Sequence, residues 1–187
     1  KLSDLEYLEH MIPHHQVAID MSKLLEPRTS SDIMLNLCRE IIRKQSYEIF
    51  EMYRMQAYTG ALFSDDISIK EKAHTKLDKY NPILSKAKSG PCNPLFFKPN
   101  DHSKMMQNMK VSEQGYLEHM IPHHQVAIDM SKRLLLHTNN SYLLDFCRKL
   151  IIDQQYEILV MNDLLKSIHN LYKSELLENG YSNLFMK

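Results

Sequence analysis

Residues 7–23 read YLEHMIPHHQVAIDMSK, and residues 116–132 repeat those seventeen letters, 109 positions further on. The register continues without a gap into a second segment. Cys38, Arg39, Ile42, Gln45, Tyr47, Glu48, Ile49 and Met52 return as Cys147, Arg148, Ile151, Gln154, Tyr156, Glu157, Ile158 and Met161. Repetition on this scale marks two copies of one supersecondary unit. On a helical wheel of about 100° per residue, Tyr7, His10, Met11, His14, Val17, Ala18, Met21 and Leu25 share one face. His15 lies near the edge of that face, and Glu9, Gln16 and Lys23 point away from it.

Punctuation around the strings sets the helix ends. Ser3 and Glu6 have capping-box spacing, and Pro27 ends a helix running from about Asp4 to Leu25. A second helix, entered through Thr29-Ser30-Ser31, runs from about Asp32 to Tyr58. The third, from about Glu113 to Leu136, keeps its Ser112 cap but has Gly115 where the first has Glu6, so the box is lost. The fourth follows Asn139-Asn140 and runs to about Leu177, ahead of Asn179-Gly180. Pro82, Pro91, Pro94, Pro99 and Gly90 fill the intervening stretch, in which 67–80 has the pattern of a short helix.

A connection this long within one domain suits a crossover. The expected fold is therefore all-α: a ferritin-like four-helix bundle made of two repeated αα-hairpins, 3–58 and 112–177, joined by a crossover at 59–110 within a single domain, 1–187. Neither hairpin can bury its apolar stripe alone, so the copies should pack about a pseudo-two-fold axis.

Hydrophobic residues make up 43% of the 187 positions, enough for a packed core, and only four glycines occur, which suits helices. Lys and Arg balance Asp and Glu at 23 each, so nucleic acid has no electrostatic attraction here. No apolar run reaches membrane-spanning length. Three cysteines leave at least one unpaired within a chain: Cys38 and Cys147 are repeat-equivalent and Cys92 stands alone. The chain opens at Lys1 rather than Met, which hints at a removed leader.

The chemistry sits on the inward faces. The first helix carries His10, Met11, His14 and Met21 there; the second carries Met34, Cys38, Ile41, Gln45, Glu48, Met52 and Met55. The other copy offers His119, Met120, His123 and Met130 opposite Gln154, Glu157 and Met161. A buried carboxylate is costly unless paired or bound to a metal, and the nearest inward partners are the first helix's histidines. One reading is a Glu–His–Gln hydrogen-bond network that fixes helix register, with the methionines as packing. The other is a metal site of imidazole, thioether and carboxylate. Twelve methionines exceed what gap-filling requires. Pro13 and Pro122 interrupt the helical ladder beside these histidines and should kink it.

Thioether with imidazole suits Cu(I) and Ag(I), and imidazole with carboxylate suits Cu(II) or Zn(II), but zinc alone leaves the methionines unexplained. No Glu-x-x-His pair lies on an inward face, which disfavours a ferritin-type di-iron centre. His102, Met105, Met106 and Met109 add a possible auxiliary soft-metal arm.

The string HMIPHHQVAIDM, followed by Cys38-Arg39-x-Ile41-Ile42-x-x-Gln45-x-x-Glu48-Ile49-x-x-Met52, resembles the family catalogued as domain of unknown function 305. The resemblance covers about Leu5–Tyr53 and Gly115–Asn162, and it implies a ferritin-like bundle of two such hairpins. Some members of that family bind copper. The family's characteristic positions fall on Met11, His14, His15, Met21, Gln45, Glu48 and Met52, and again on Met120, His123, His124, Met130, Gln154, Glu157 and Met161. Val17 and Val126 stand where the family usually has Gly or Ala. His10 and His119 lie outside the common pattern, so their candidacy comes from the wheel alone.

The expected function is binding of copper for sequestration, tolerance or transfer, without turnover. The alternatives are a structural or interaction protein with a purely structural polar core, and a redox metalloenzyme. Metal ions are the expected partners. The family resemblance slightly favours a periplasmic or extracellular setting, and the sequence leaves oligomeric state open.

Overall fold

The computed structural model describes residues 2–62 and 110–178. Its described part is four helices: α1, Asp4–Leu25; α2, Asp32–Leu62; α3, Glu113–Leu135; and α4, Ser141–Glu178. The expected short helix at 67–80, Cys92 and the His102–Met109 arm lie outside the described residues.

The caps follow the sequence. Ser3 Oγ accepts from Glu6 N at 3.2 Å while Glu6 Oε2 accepts from Ser3 N at 2.8 Å, a complete capping box. Ser112 Oγ accepts from Gly115 N at 3.1 Å, and no return bond is possible without a side chain. Asn140 opens α4, its Oδ1 accepting from Tyr142 N at 3.0 Å. One expectation needs correction. The second helix passes Tyr58 and Gly60 to end at Leu62, because one glycine weakens a helix by only about 1 kcal/mol. Helices α1 and α3 contain Pro13 and Pro122 in their interiors, and each proline leaves the carbonyl four residues back without its helical donor.

Helix α1 packs on α2 and α3 packs on α4, and the two hairpins meet along α1 and α3. That meeting is antiparallel and reciprocal. Tyr7 OH lies 2.7 Å from Ser131 Oγ, and Tyr116 OH lies 2.7 Å from Ser22 Oγ. A shift of 109 turns one pair into the other. Ser22 Oγ also donates to the Ala18 carbonyl at 2.7 Å, so it accepts from Tyr116. Midway between these bonds, the rings of His14 and His123 stack with centroids 3.6 Å apart. These two residues are themselves repeat-equivalent, so the pseudo-two-fold axis passes between them.

Two apolar clusters flank that axis. One gathers Met21, Leu25, Met34, Cys38, Ile41, Tyr116, Leu117, Met120 and Met161. The other gathers Tyr7, Leu8, Met11, Ile12, Met52, Ala127, Leu134, Leu143, Cys147 and Leu150. Every residue placed on the inward wheel of α1 is buried. Cys38 and Cys147 belong to different clusters and are free thiols, so no bridge joins them. Burial pushes both thiols up to about 11, which leaves them protonated and inert. No described helix is long and apolar enough to cross a membrane.

Candidate metal centre

Between the apolar clusters lies a polar layer. On α1 the sequence passes from Met11 in one cluster to Val17 in the other, and His14 and His15 fall between. On α2, Gln45 and Glu48 fall between Ile41 and Met52. The second hairpin repeats the arrangement with His123, His124, Gln154 and Glu157. All eight of these polar side chains are buried. His10 is buried as well, and His119 is half-buried.

Each copy is organised by one short contact. His15 Nε2 lies 2.8 Å from Glu48 Oε2, and His124 Nε2 lies 2.9 Å from Glu157 Oε2. The inward carboxylate therefore meets a histidine of its own hairpin, as the stripe implied. His15, expected near the edge of its face, is completely buried, because the Glu48 side of α2 closes over it. Around these pairs the rings form a chain across the axis. His10 and His14 are 6.4 Å apart, His14 and His123 are 3.6 Å, and His123 and His119 are 5.8 Å, measured between centroids.

Burial disfavours the charged form of a ring that no carboxylate faces. Burial, reinforced by His123, His15, His10 and His124, holds His14 well below the usual imidazole range. Burial alone lowers His10 to about 4. Neutral imidazole has a lone pair, and neutral imidazole is the form that binds metals. Glu157 moves the other way from a simply buried acid. Burial pushes its carboxyl up, but His124 and the Lys44 ammonium outweigh that and hold it below its ordinary value. Lys44 Nζ donates to Glu157 Oε1 at 3.2 Å, reaching across from the other hairpin.

The layer contains polar atoms that no described residue satisfies. His15 Nδ1, His124 Nδ1, Gln45 Oε1 and both polar atoms of the Gln154 amide are buried without a hydrogen bond. Such atoms are costly in a folded core, and imidazole nitrogen and amide oxygen are competent metal donors. Among the described residues, no group of three or more His, Cys, Asp or Glu side chains is arranged to hold a metal ion. Imidazole and carboxylate therefore make no ready-made cage, and a metal here has to draw on amide or thioether as well.

The thioethers divide by position. Met11 lies one helical turn from His14 and His15, Met52 lies one turn from Glu48, and both belong to the same apolar cluster. Met120 and Met161 are their equivalents in the other cluster. Met21 and Met130 lie two turns from the histidines. Each belongs to the cluster that holds the other copy's pair, Met21 with Met120 and Met161, while half-buried Met130 packs against the cluster of Met11 and Met52.

Reading the sequence missed Lys44 and the two Tyr–Ser bonds. The signal for Lys44 was present, because the residue 109 positions on is Asp153, a reversal of charge in an otherwise matched register.

The fold and this layer define a class, a helical bundle of two hairpins with a buried His-Gln-Glu stratum bordered by methionine. The chain belongs to the family described as Domain of unknown function (DUF305), whose model matches residues 4–165. Solved structures of CopM are similar in fold. The Cu(II)-bound form aligns at 23% identity with a TM-score of 0.61, covering 89% of this chain and 98% of that one. The Cu(I)-bound form aligns at 23% identity over the same shares, with a TM-score of 0.58. A DUF305 fragment from Deinococcus radiodurans aligns at 21% identity and a TM-score of 0.56, covering 88% and 95%. An uncharacterized protein of Acanthamoeba polyphaga mimivirus is 45% identical over 51 residues, 27% of this chain and 34% of that protein. The match thus spans about a third of that relative's length.

Proposed function

We propose that this protein binds copper, as Cu(I) in the first instance, to sequester it, confer tolerance or pass it on, without catalytic turnover. The observation that carries the reading is the duplicated layer of buried histidines. Unsatisfied nitrogen and amide atoms remain within it, and Met11 with Met52 and Met120 with Met161 stand one turn away. Thioether selects soft ions and imidazole accepts both oxidation states of copper. The fold neighbours lend support, since CopM has been crystallised with Cu(I), Cu(II) and silver. In this reading His14, His15, Gln45, Glu48, Met11 and Met52 serve one copy, and His123, His124, Gln154, Glu157, Met120 and Met161 serve the other.

The His15–Glu48 and His124–Glu157 pairs favour a second reading, in which the layer only fixes register. A double replacement separates the two. Met11→Leu with Met52→Leu keeps volume, at a stability cost usually under about 1.5 kcal/mol each. An anaerobic Cu(I) titration against a competing chelator should show affinity falling by at least tenfold in that variant, with Ag(I) competing in the parent chain. Unchanged affinity would mean the methionines are packing alone, and no affinity tighter than micromolar in the parent would remove the copper reading.

A further inference from the structure

The duplication is broken at one position that touches the layer. Lys44 of α2 holds Glu157 Oε1 at 3.2 Å while His124 holds Oε2 at 2.9 Å, so both oxygens of that carboxylate are engaged. In the other copy Glu48 is met by His15 alone among the described residues. The repeat-equivalent of Lys44 is Asp153, half-buried on α4 and close enough for its charge to act on Lys44. One Glu–His pair therefore faces an ammonium from the opposite hairpin, and the other faces no lysine there but the register of a carboxylate.

We propose that Lys44 makes the two metal-binding copies unequal, so that the copy holding His15 and Glu48 takes the first copper ion and the copy holding His124 and Glu157 takes the second with lower affinity. The inference rests on the copper-binding reading above and assigns it an order of loading. A cation entering the second copy has to displace or neutralise a lysine already bonded to the carboxylate, and it meets the ammonium's repulsion. Lys44 is partly exposed, at 26% of its side chain, so solvent screens that repulsion. What remains at the effective dielectric of such a site corresponds to roughly tenfold in affinity. Lys44 thus acts as a built-in competitor for one site, occupying it until enough metal is present to expel it.

The test uses the whole chain and Cu(I) under anaerobic conditions, with a competing chelator setting the free ion. The parent should take up two equivalents in two steps about tenfold apart, and the gap should narrow at high salt. Ring-proton signals of His15 should shift with the first equivalent, before those of His124. Lys44→Leu removes the charge without adding a metal donor, and it should merge the steps at the tighter value. Asp153→Lys should weaken the first step toward the second. Two equal steps in the parent, or steps unmoved by both replacements, overturn the inequality and leave copper binding intact. An absence of uptake in parent and variants alike overturns the copper reading itself, and the loading order with it. Urea unfolding of each metal-free variant identifies one that has lost its fold, and the inference then stands or falls on the remaining variant and on the order of ring shifts in the parent.

Discussion

The two hairpins share a seventeen-residue string yet do not give their histidines the same surroundings. In the first, His10 is buried and Glu48 meets only His15 among the described residues. In the second, His119 is half-buried, Met130 is less covered than Met21, and Glu157 is clamped by both His124 and Lys44. Identical letters gave unlike sites because the differences come from outside the string. Lys44 and Asp153 sit on the partner helices, where the repeat has diverged. A duplicated motif therefore conveys its donor atoms faithfully but not their electrostatics.

The largest expected effect tests that contrast directly. Glu157→Gln should destabilise the metal-free chain by about 3 kcal/mol, because it strands Lys44 and His124 together. Glu48→Gln should cost about 1 kcal/mol, the scale of one lost hydrogen bond. Urea unfolding at neutral pH, with unchanged slopes, would measure both. Equal losses would show that Lys44 contributes nothing and that the halves are electrostatically alike.

A second expectation concerns acid. His10 is lowered to about 4 from its ordinary 6.5, so below pH 6.5 the unfolded chain binds a proton that the folded chain refuses. Stability should thus be fully present above pH 6.5 and decline as pH falls toward 4, by on the order of 3 kcal/mol from His10 alone. His14, which burial also holds below its usual range, acts in the same direction. Urea midpoints of the metal-free protein between pH 7 and pH 4 would record the decline, and His10→Gln should flatten it. A curve with the same slope in that variant would mean that burial of the first hairpin's extra histidine has no bearing on acid stability.

The smallest effect erases a difference instead of enlarging one. Gly115→Glu gives α3 the capping box that α1 has, along with a better helix former, and should stabilise by about 1 kcal/mol. A Cβ at position 115 would meet Ser112 Oγ at 3.1 Å, a tight approach. In the first copy Glu6 carries a side chain at the equivalent position, and its N still donates to Ser3 Oγ at 3.2 Å. A thermal midpoint that rises by a few degrees would confirm the gain, and a fall would mean that Ser112 cannot give way.

Much of this was legible in the sequence. The ends of α1, the complete and broken capping boxes, and the inward stripe from Tyr7 to Leu25 follow from side-chain spacing and cap chemistry, which are local. The Glu48–His15 and Glu157–His124 contacts were foreshadowed because a buried carboxylate requires a partner and few candidates faced it. What could not be read depends on how helices approach each other. Full burial of His15 requires α2 to close over it, and the reach of Lys44 to Glu157 requires α2 and α4 to come near at that level. The reciprocal Tyr–Ser bonds require the antiparallel crossing of α1 on α3. A wheel fixes the direction in which a residue points, and only packing decides what it meets.

The stacked pair on the axis bears on how the two strings can change over time. His14 lies against His123, its own counterpart, and Tyr7 and Ser131 exchange places with Tyr116 and Ser22. Each copy is thus the surface against which the other is fitted, as in a coin pressed against its own die. A replacement of one inward letter leaves the other copy shaped for the old one. The same replacement made in both would meet itself across the axis. Drift in this interface should therefore proceed in matched steps, which is a mechanical reason for two strings 109 residues apart to remain identical on their inward face.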